Sequence, residues 1–412
     1  MTRTPHVRAA RLLLSISLAA AVTTACGNRR SAWTHQPPDR VDLTKIPQFV
    51  SVTFDDNFGL EDPTAVGGVD YIVDFYRTRT NPRGTGPVDA YDGTPIATTL
   101  YNTTVYITEN DDLRRNSASW WRALAAGHEL ANHTVHHWNG GDQPVGAGSC
   151  CVPRNFTPEL WSAEIKEAKE ALTQPQYGVG APEGEVVGFR APYLGYNDAL
   201  FTALVSSKAL YDSSILTCFG DREDGSNCAW PYHLDEGSRD AEVLTRKFKL
   251  PAVGKHAGLW QAPVSALIVP PDAQAAFYGF RPGLRARIEQ RLPLSFPNLY
   301  EPATGKIAGL DVTLLVEAKL RPDEMLAILK YNLDLHLRGN RAPLIFVAHA
   351  FMYAFTGSDA ARPAEPDNPN TTSAAERDER WKAITDFLTF ALAKPEVRLR
   401  PVKDIIAWLM RR

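Results

Sequence analysis

The sequence predicts an α/β fold, and three observations carry that prediction. Short β-branched and aromatic runs alternate with longer amphipathic stretches, Gly and Asn turn signals separate them, and 44% hydrophobic against 22% charged residues leaves apolar material for one large core. The length of 412 residues allows one large domain or two to three smaller ones. Periodicity alone does not separate a parallel barrel from a doubly wound sheet. A formal net charge of -3 shows no basic excess that would neutralise a phosphate backbone, so nucleic acid is not an expected partner.

Arg3, Arg8 and Arg11 precede an apolar run over 12–25, and small residues lead into Cys26. This pattern predicts a secretion signal over 1–26 and an exported protein. The run is short for a membrane span, and the polar Asn28 and Arg29 follow it. Membrane contact is therefore expected only through a lipid at Cys26. Thr23-Thr24-Ala25-Cys26 resembles a bacterial lipoprotein box, with Thr23 in place of the usual branched apolar residue. Cleavage by an ordinary signal peptidase, giving a secreted protein, is the alternative. Residues 27–46 are polar and Pro-containing and read as a tether, with the folded domain over 47–412.

The run 49–54 ends in Asp55 and Asp56 and reads as a buried strand that delivers both carboxylates at its end. Residues 103–108 read as a second strand and 119–126 as a helix stopped by Gly127, before a strand-like 129–135. Helices are expected over 158–172 after the N-cap Thr157, over 198–207 after Asn197, and over 325–337 and 380–393. Further strands are expected at 186–189, 210–216, 265–269 and 344–348. Stretches rich in Gly, Pro and Asp at 81–93, 140–153, 220–239 and 357–372 read as surface loops. Among Cys150, Cys151, Cys218 and Cys228, the last two bracket a short loop that one disulfide closes with little strain. A four-cysteine zinc site is the rival, but there is no CxxC spacing and two of the cysteines are adjacent.

Adjacent carboxylates at a strand end can divide the roles of base and metal ligand, although such pairs are commonly only solvated or capping groups. The second cluster strengthens the functional reading. His133, His136 and His137 fall within five positions, and His133 and His137 share a face if the segment is a helical turn. Two imidazoles with Asp56 would leave an open position on a divalent metal, expected to be zinc, though cobalt, nickel and manganese accept the same set. His136 is a rival ligand.

Four segments together resemble the polysaccharide deacetylases of carbohydrate esterase family 4, in motif style the chitin deacetylases. They are Thr53-Phe54-Asp55-Asp56; Gly127-His128-Glu129 leading to His133-Thr134-Val135-His136-His137; Phe189-Arg190-Ala191-Pro192-Tyr193; and the stretch 342–350 with His349. The resemblance implies a distorted (β/α) barrel forming a single catalytic domain, with the site at the strand ends. It implies Asp55 as general base, Asp56, His133 and His137 as metal ligands, and Arg190 as the cation positioning Asp55. Tyr193 would offer a backbone N–H to the oxyanion, a role closed to Pro192, and His349 would be the general acid. Asp311 and Asp212 are both candidates to tether His349, with Asp311 preferred and Asp212 read as a sheet-end support. Trp260 is a candidate cleft residue, with core packing as its plainer reading.

The implied reaction is hydrolysis of N-acetyl groups on a GlcNAc-containing polysaccharide, chitin-like or peptidoglycan, with release of acetate by a monomer. An O-acetyl xylan esterase is the alternative enzyme. A catalytically inactive glycan-binding envelope protein is the alternative of another class, and it would be expected to carry a broken ligand or base.

Overall fold

The computed structural model describes residues 32–38, 41–57, 68–84, 90–109, 113–144, 152–292, 299–353 and 374–412. The expected signal 1–26 with Cys26, the cysteines Cys150 and Cys151, and the loop 357–372 lie outside the described residues. No helix among the described residues is long and apolar enough to cross a membrane.

The strands of the main sheet are β1 (Gln48–Asp55), β2 (Thr99–Asn102), β3 (Glu129–Asn132), β4 (Gly188–Phe189) and β5 (Tyr211–Asp212). After β6 (Leu216–Thr217) come β7 (Tyr232–His233), β8 (Trp260–Gln261), β9 (Val264–Ile268), β10 (Tyr300–Glu301) and β11 (Lys306–Ala308). The last two are β12 (Leu344–His349) and β13 (Val397–Leu399). The main sheet has the order β12-β1-β2-β3-β4-β5-β8-β7, with β13 added along the first half of β1. Its pairs are parallel except β7 with β8, so the parallel strands end on one side of the molecule. A second sheet has the order β10-β11-β9-β6.

Two pairs of strands join the sheets. β5 pairs with β8 and, a few residues on, β6 pairs with β9, so two neighbouring strands pass together from one sheet to the other. The second sheet then returns to β12: Ile345 N–H donates to Ser265 Oγ (3.0 Å) and Val347 N–H to the Gly309 carbonyl (2.9 Å). A Cβ on Gly309 would sit 2.2 Å from the Ser265 carbonyl oxygen, so only glycine allows this approach. The ring of strands is thereby completed as a distorted α/β barrel.

Side-chain alternation sorts the strands into an inner and an outer face. Val50, Val52 and Phe54 of β1 pack with Leu100, Leu130 and Phe346 in one apolar cluster. Phe49 packs with Tyr101, Ala131, Phe189, Ile345 and Val347 in the other. The remaining odd-numbered residues of β1, Ser51, Thr53 and Asp55, are buried on the same side as Phe49. Burial of each such large apolar side chain contributes roughly 1.5–3 kcal/mol.

Most of the expected elements are present, with informative shifts. The run 103–108 is not a strand: β2 lies just before it, and Val105–Thr108 is a helical turn. Thr104 and Val105 N–H groups donate to the carbonyls of Thr134 (3.1 Å) and Val135 (2.9 Å), so tertiary pairing overrides β propensity there. The run 210–216 breaks into β5 and the start of β6, and the residues between, Ser213 and Ser214, serve the site. The helix Pro158–Thr173 starts on Thr157, whose side chain accepts from Leu160 N–H, and Asn197 caps Asp198–Ser206 in the same way. Cys218 and Cys228 form a disulfide. Within the stretch read as a tether, Thr34 accepts from Trp230 N–H (3.0 Å), and His35 Nε2 lies 2.8 Å from Glu223 Oε1.

Candidate metal centre

Four strands of the parallel sheet deliver the acidic, imidazole and guanidinium groups. Asp55 ends β1 and is paired in register with His349 at the end of β12. His133 follows β3 directly, and Arg190 follows β4. The expected residues Asp55, Asp56, His133, His137, Arg190, Tyr193, His349 and Asp311 are thus brought to one end of the barrel.

Ligand atoms of Asp56, His133 and His137 all lie within 4.8 Å of one another. His133 Nδ1–H donates to the Arg190 carbonyl (2.8 Å), which turns Nε2 towards Asp56 Oδ1, 3.6 Å away. Burial pushes His133 down to about 4, against the pull of Asp55, so it is a neutral imidazole at pH 7. His137 Nε2 lies 2.9 Å from the same Asp56 oxygen. That oxygen is buried and meets no backbone or hydroxyl donor, only the two imidazole nitrogens, an arrangement that suits ligands converging on a shared cation. Burial opposes the charge on Asp56, yet His137 first, then His349 and His133, hold its carboxyl below the usual carboxylate range. The donor set of one carboxylate and two imidazoles fits a divalent metal.

The histidine segment is not the helical turn that would have put His133 and His137 on one face. It is a loop in which Thr134 and His137 have left-handed backbones (φ 68° and 57°). Asp56, Asn57, Tyr193 and Leu194 share that conformation, so every one of the three loops carrying motif residues is strained by roughly 1 kcal/mol per residue or more. Side chains that sequence reasoning missed hold these loops. Asn57 donates to the carbonyls of Phe54 (2.8 Å) and Tyr101 (2.9 Å), and Trp120 Nε1–H donates to the Asn57 carbonyl (2.7 Å). Glu164 accepts from the N–H groups of Val135 (2.9 Å) and His136 (3.2 Å), and its other oxygen lies 2.6 Å from His136 Nδ1. His136, the rival ligand, is therefore turned to Glu164, and its ring stacks on Trp138 with centroids 4.2 Å apart. Glu164 occupies the buried stripe of its helix with Trp161, Ile165 and Ala168, and a carboxylate on such a stripe is the signal that would have found it.

Asp55 is held from beneath. Arg190, fully buried, donates from Nη1 to Asp55 Oδ1 (2.6 Å) and to Thr53 Oγ1 (2.8 Å). Its Nε and Nη2 reach the carbonyl (3.1 Å) and hydroxyl (3.0 Å) of Ser213, and its guanidinium lies 4.0 Å from the Tyr101 ring centre. Asp55 Oδ2 is left on the side of His133, 3.9 Å from Nε2.

Across the cleft, His349 Nδ1 is 2.7 Å from Asp311 Oδ1. Burial alone would depress this imidazole, but the charge and hydrogen bond of Asp311, with Asp56 and Asp55 beyond, lift it to about 9. His349 is therefore protonated at neutral pH. Asp212 instead accepts from the N–H and hydroxyl of Ser214 (2.7 Å each), and burial raises its carboxyl to about 6. Tyr193 sits with its ring centre 4.6 Å from that of His137. Trp260 is buried against His233, ring centres 4.1 Å apart, and is a packing residue.

The molecule is thus an α/β barrel with a candidate metal centre at its strand ends. Residues 92–209, which carry His133, His137, Arg190 and Tyr193, match the family model for polysaccharide deacetylases, in agreement with the resemblance read from the motifs. The match does not extend over Asp55, Asp56 or His349. Among solved structures, the chain is similar to a protein described as a polysaccharide deacetylase from Mycobacterium smegmatis, with 17% identity, 91% of this chain and 94% of that chain covered, and a TM-score of 0.47. A counterpart so described from Pseudomonas aeruginosa PAO1 shares 12% identity over 89% and 92% of the two chains, with a TM-score of 0.43. An allantoinase shares 12% over 88% and 90%, with a TM-score of 0.42. No curated protein matches the sequence.

Proposed function

We propose that this protein is a metal-dependent deacetylase that hydrolyses N-acetyl groups on a GlcNAc-containing polysaccharide, chitin-like or peptidoglycan. The observation that carries the proposal is the convergence of a buried Asp56 oxygen and two imidazoles, with an Arg190-held carboxylate on one side and an Asp311-held imidazolium on the other. Asp56, His133 and His137 would hold the metal, for which zinc is the first expectation. When bound, it would supply Lewis-acid polarisation of the acetyl carbonyl and stabilise the developing oxyanion.

The chain's own residues do the rest. Asp55, fixed through Oδ1, presents Oδ2 to accept a proton from the attacking water. The backbone N–H of Tyr193, at a left-handed turn beside His137, would donate to the oxyanion. His349 enters the reaction protonated and delivers its Nε2 proton to the departing amine, so the sugar leaves with a neutral amino group. Asp311 positions that imidazole. None of the site's expected groups is replaced, which speaks against an inactive glycan-binding protein, and the protein is proposed to act as a monomer. Residues 1–26 are read as the export signal that would bring the enzyme to the envelope, as a Cys26 lipoprotein or a secreted protein.

The test is acetate release from chitooligosaccharides, peptidoglycan and acetylxylan by the zinc-loaded and the chelated protein. Release from an N-acetylated polymer that stops on chelation and returns with zinc supports the proposal. Release from acetylxylan alone would make it an O-acetyl esterase.

A further inference from the structure

Asp311 is buried completely, and four donors meet its carboxylate. Oδ1 accepts from Val312 N–H (2.7 Å) and from His349 Nδ1–H (2.7 Å); Oδ2 accepts from His349 N–H (2.8 Å) and from the Tyr353 hydroxyl (3.0 Å). Three of these come from the backbone or from the imidazole that Asp311 serves. The fourth comes from a tyrosine that neither the sequence motifs nor the proposed mechanism uses.

Tyr353 is fully buried and sits on the 3-10 turn Ala350–Tyr353 that follows β12. The turn doubles the chain back so that the His349 N–H and the Tyr353 hydroxyl reach the same oxygen. Its path is fixed from outside. A Cβ on Gly68 would lie 1.9 Å from the Ala350 carbonyl oxygen, so the helix Gly68–Tyr76 presses its first glycine against the turn. The Tyr353 ring is edge-on to Phe54 at 6.3 Å and 6.1 Å from Trp381. A phenol so confined has its hydroxyl aimed by packing. A carboxylate with two acceptor sites filled on each side cannot rotate without leaving a buried donor unpaired.

We propose that Tyr353 is a positioning residue for the proton donor: through Asp311, its hydroxyl fixes the direction of the His349 ring, with Nδ1–H held on Asp311 before and after the Nε2 proton is given up, so that Nε2 faces the cleft. The inference rests on the deacetylase reading for its catalytic consequence but not for its structural content. Removing the hydroxyl leaves Oδ2 with one donor and frees the carboxylate to turn away from Nδ1.

The test is Tyr353→Phe, which retains the ring between Phe54 and Trp381. The expected result is a 5- to 30-fold lower kcat with KM within about twofold, unchanged zinc affinity and a melting temperature lower by no more than a few degrees. In 15N-histidine NMR spectra, the wild-type protein is expected to show a downfield, exchange-protected Nδ1–H resonance, assigned by its absence in His349→Gln, that weakens or disappears in Tyr353→Phe. An unaltered resonance with unaltered kcat overturns the proposal, as does its absence from the wild-type spectrum. Parallel losses in melting temperature, KM and zinc affinity would reduce Tyr353 to a packing residue and overturn it equally. If the wild-type protein releases no acetate from any polymer, the deacetylase reading fails, and the resonance alone still decides whether Tyr353 positions His349.

Discussion

Two buried aspartates flank the same cleft, and their surroundings are opposite. Asp311 accepts four hydrogen bonds and has no acceptor site to spare. Asp56 keeps one buried oxygen that faces only imidazole nitrogens. Leaving a buried acceptor unmade costs about 1–3 kcal/mol, more for a charged group. One carboxylate holds a neighbour still, and the other is the one we propose to receive a cation.

The largest expected effect sharpens the contrast from the side of the base. Asp55→Ala should lower kcat by about 10²- to 10⁴-fold while zinc content, read by elemental analysis, stays at the wild-type level. Loss of zinc with loss of activity would instead make Asp55 a ligand.

Next comes stability without metal. Asp311→Asn exposes its donors to a weaker acceptor and should cost about 2–3 kcal/mol in urea unfolding. Asp56→Asn, in the metal-stripped protein, should cost less, about 1 kcal/mol or under, since it gives up the attraction of the nearby imidazoles but leaves no backbone or hydroxyl donor unpaired. Equal costs would erase the distinction.

The pH dependence follows from His349. Its pKa is raised in the folded state, so its contribution to stability is fully present below its unfolded pKa near 6.5 and is lost as pH rises through about 9. Activity that needs the protonated acid should fall over the same alkaline window. In Asp311→Asn that limb should move down towards 6.5, as a pH–kcat profile would show; a limb that stays in place would separate His349 from the acid role.

The smallest effect is expected at Glu164. Glu164→Gln keeps one acceptor for the loop N–H groups but loses the charged partner of His136, and zinc affinity measured by competition should drop about tenfold. An unchanged affinity would show that the histidine loop holds its strained backbone without help.

Much of this was legible in the sequence because it is local. β1 and β12 announce themselves as β-branched runs, and Asp55, Asp56 and His349 stand at their ends. Thr157 and Asn197 cap the helices they precede. Arg190 and the histidine pair were legible through four ordered motifs. What was not legible depends on contacts between distant segments. The spacing of His133 and His137 suits a helix, but the loop they occupy is shaped by Glu164 from the following helix and by Asn132, whose Oδ1 accepts from Thr134 N–H (2.9 Å). The closure of the barrel at Gly309 and the arrival of Tyr353 at Asp311 follow from how strands far apart in the chain meet, and no periodicity records that.

Asp56, His133 and His137 are proposed to form one metal site. Isothermal titration of zinc into the metal-stripped protein and into Asp56→Ala tests it most directly. A single tight site is expected in the wild-type protein, weakened by at least about 100-fold in the variant. An absence of zinc binding, or a site of equal affinity in both proteins, would contradict it.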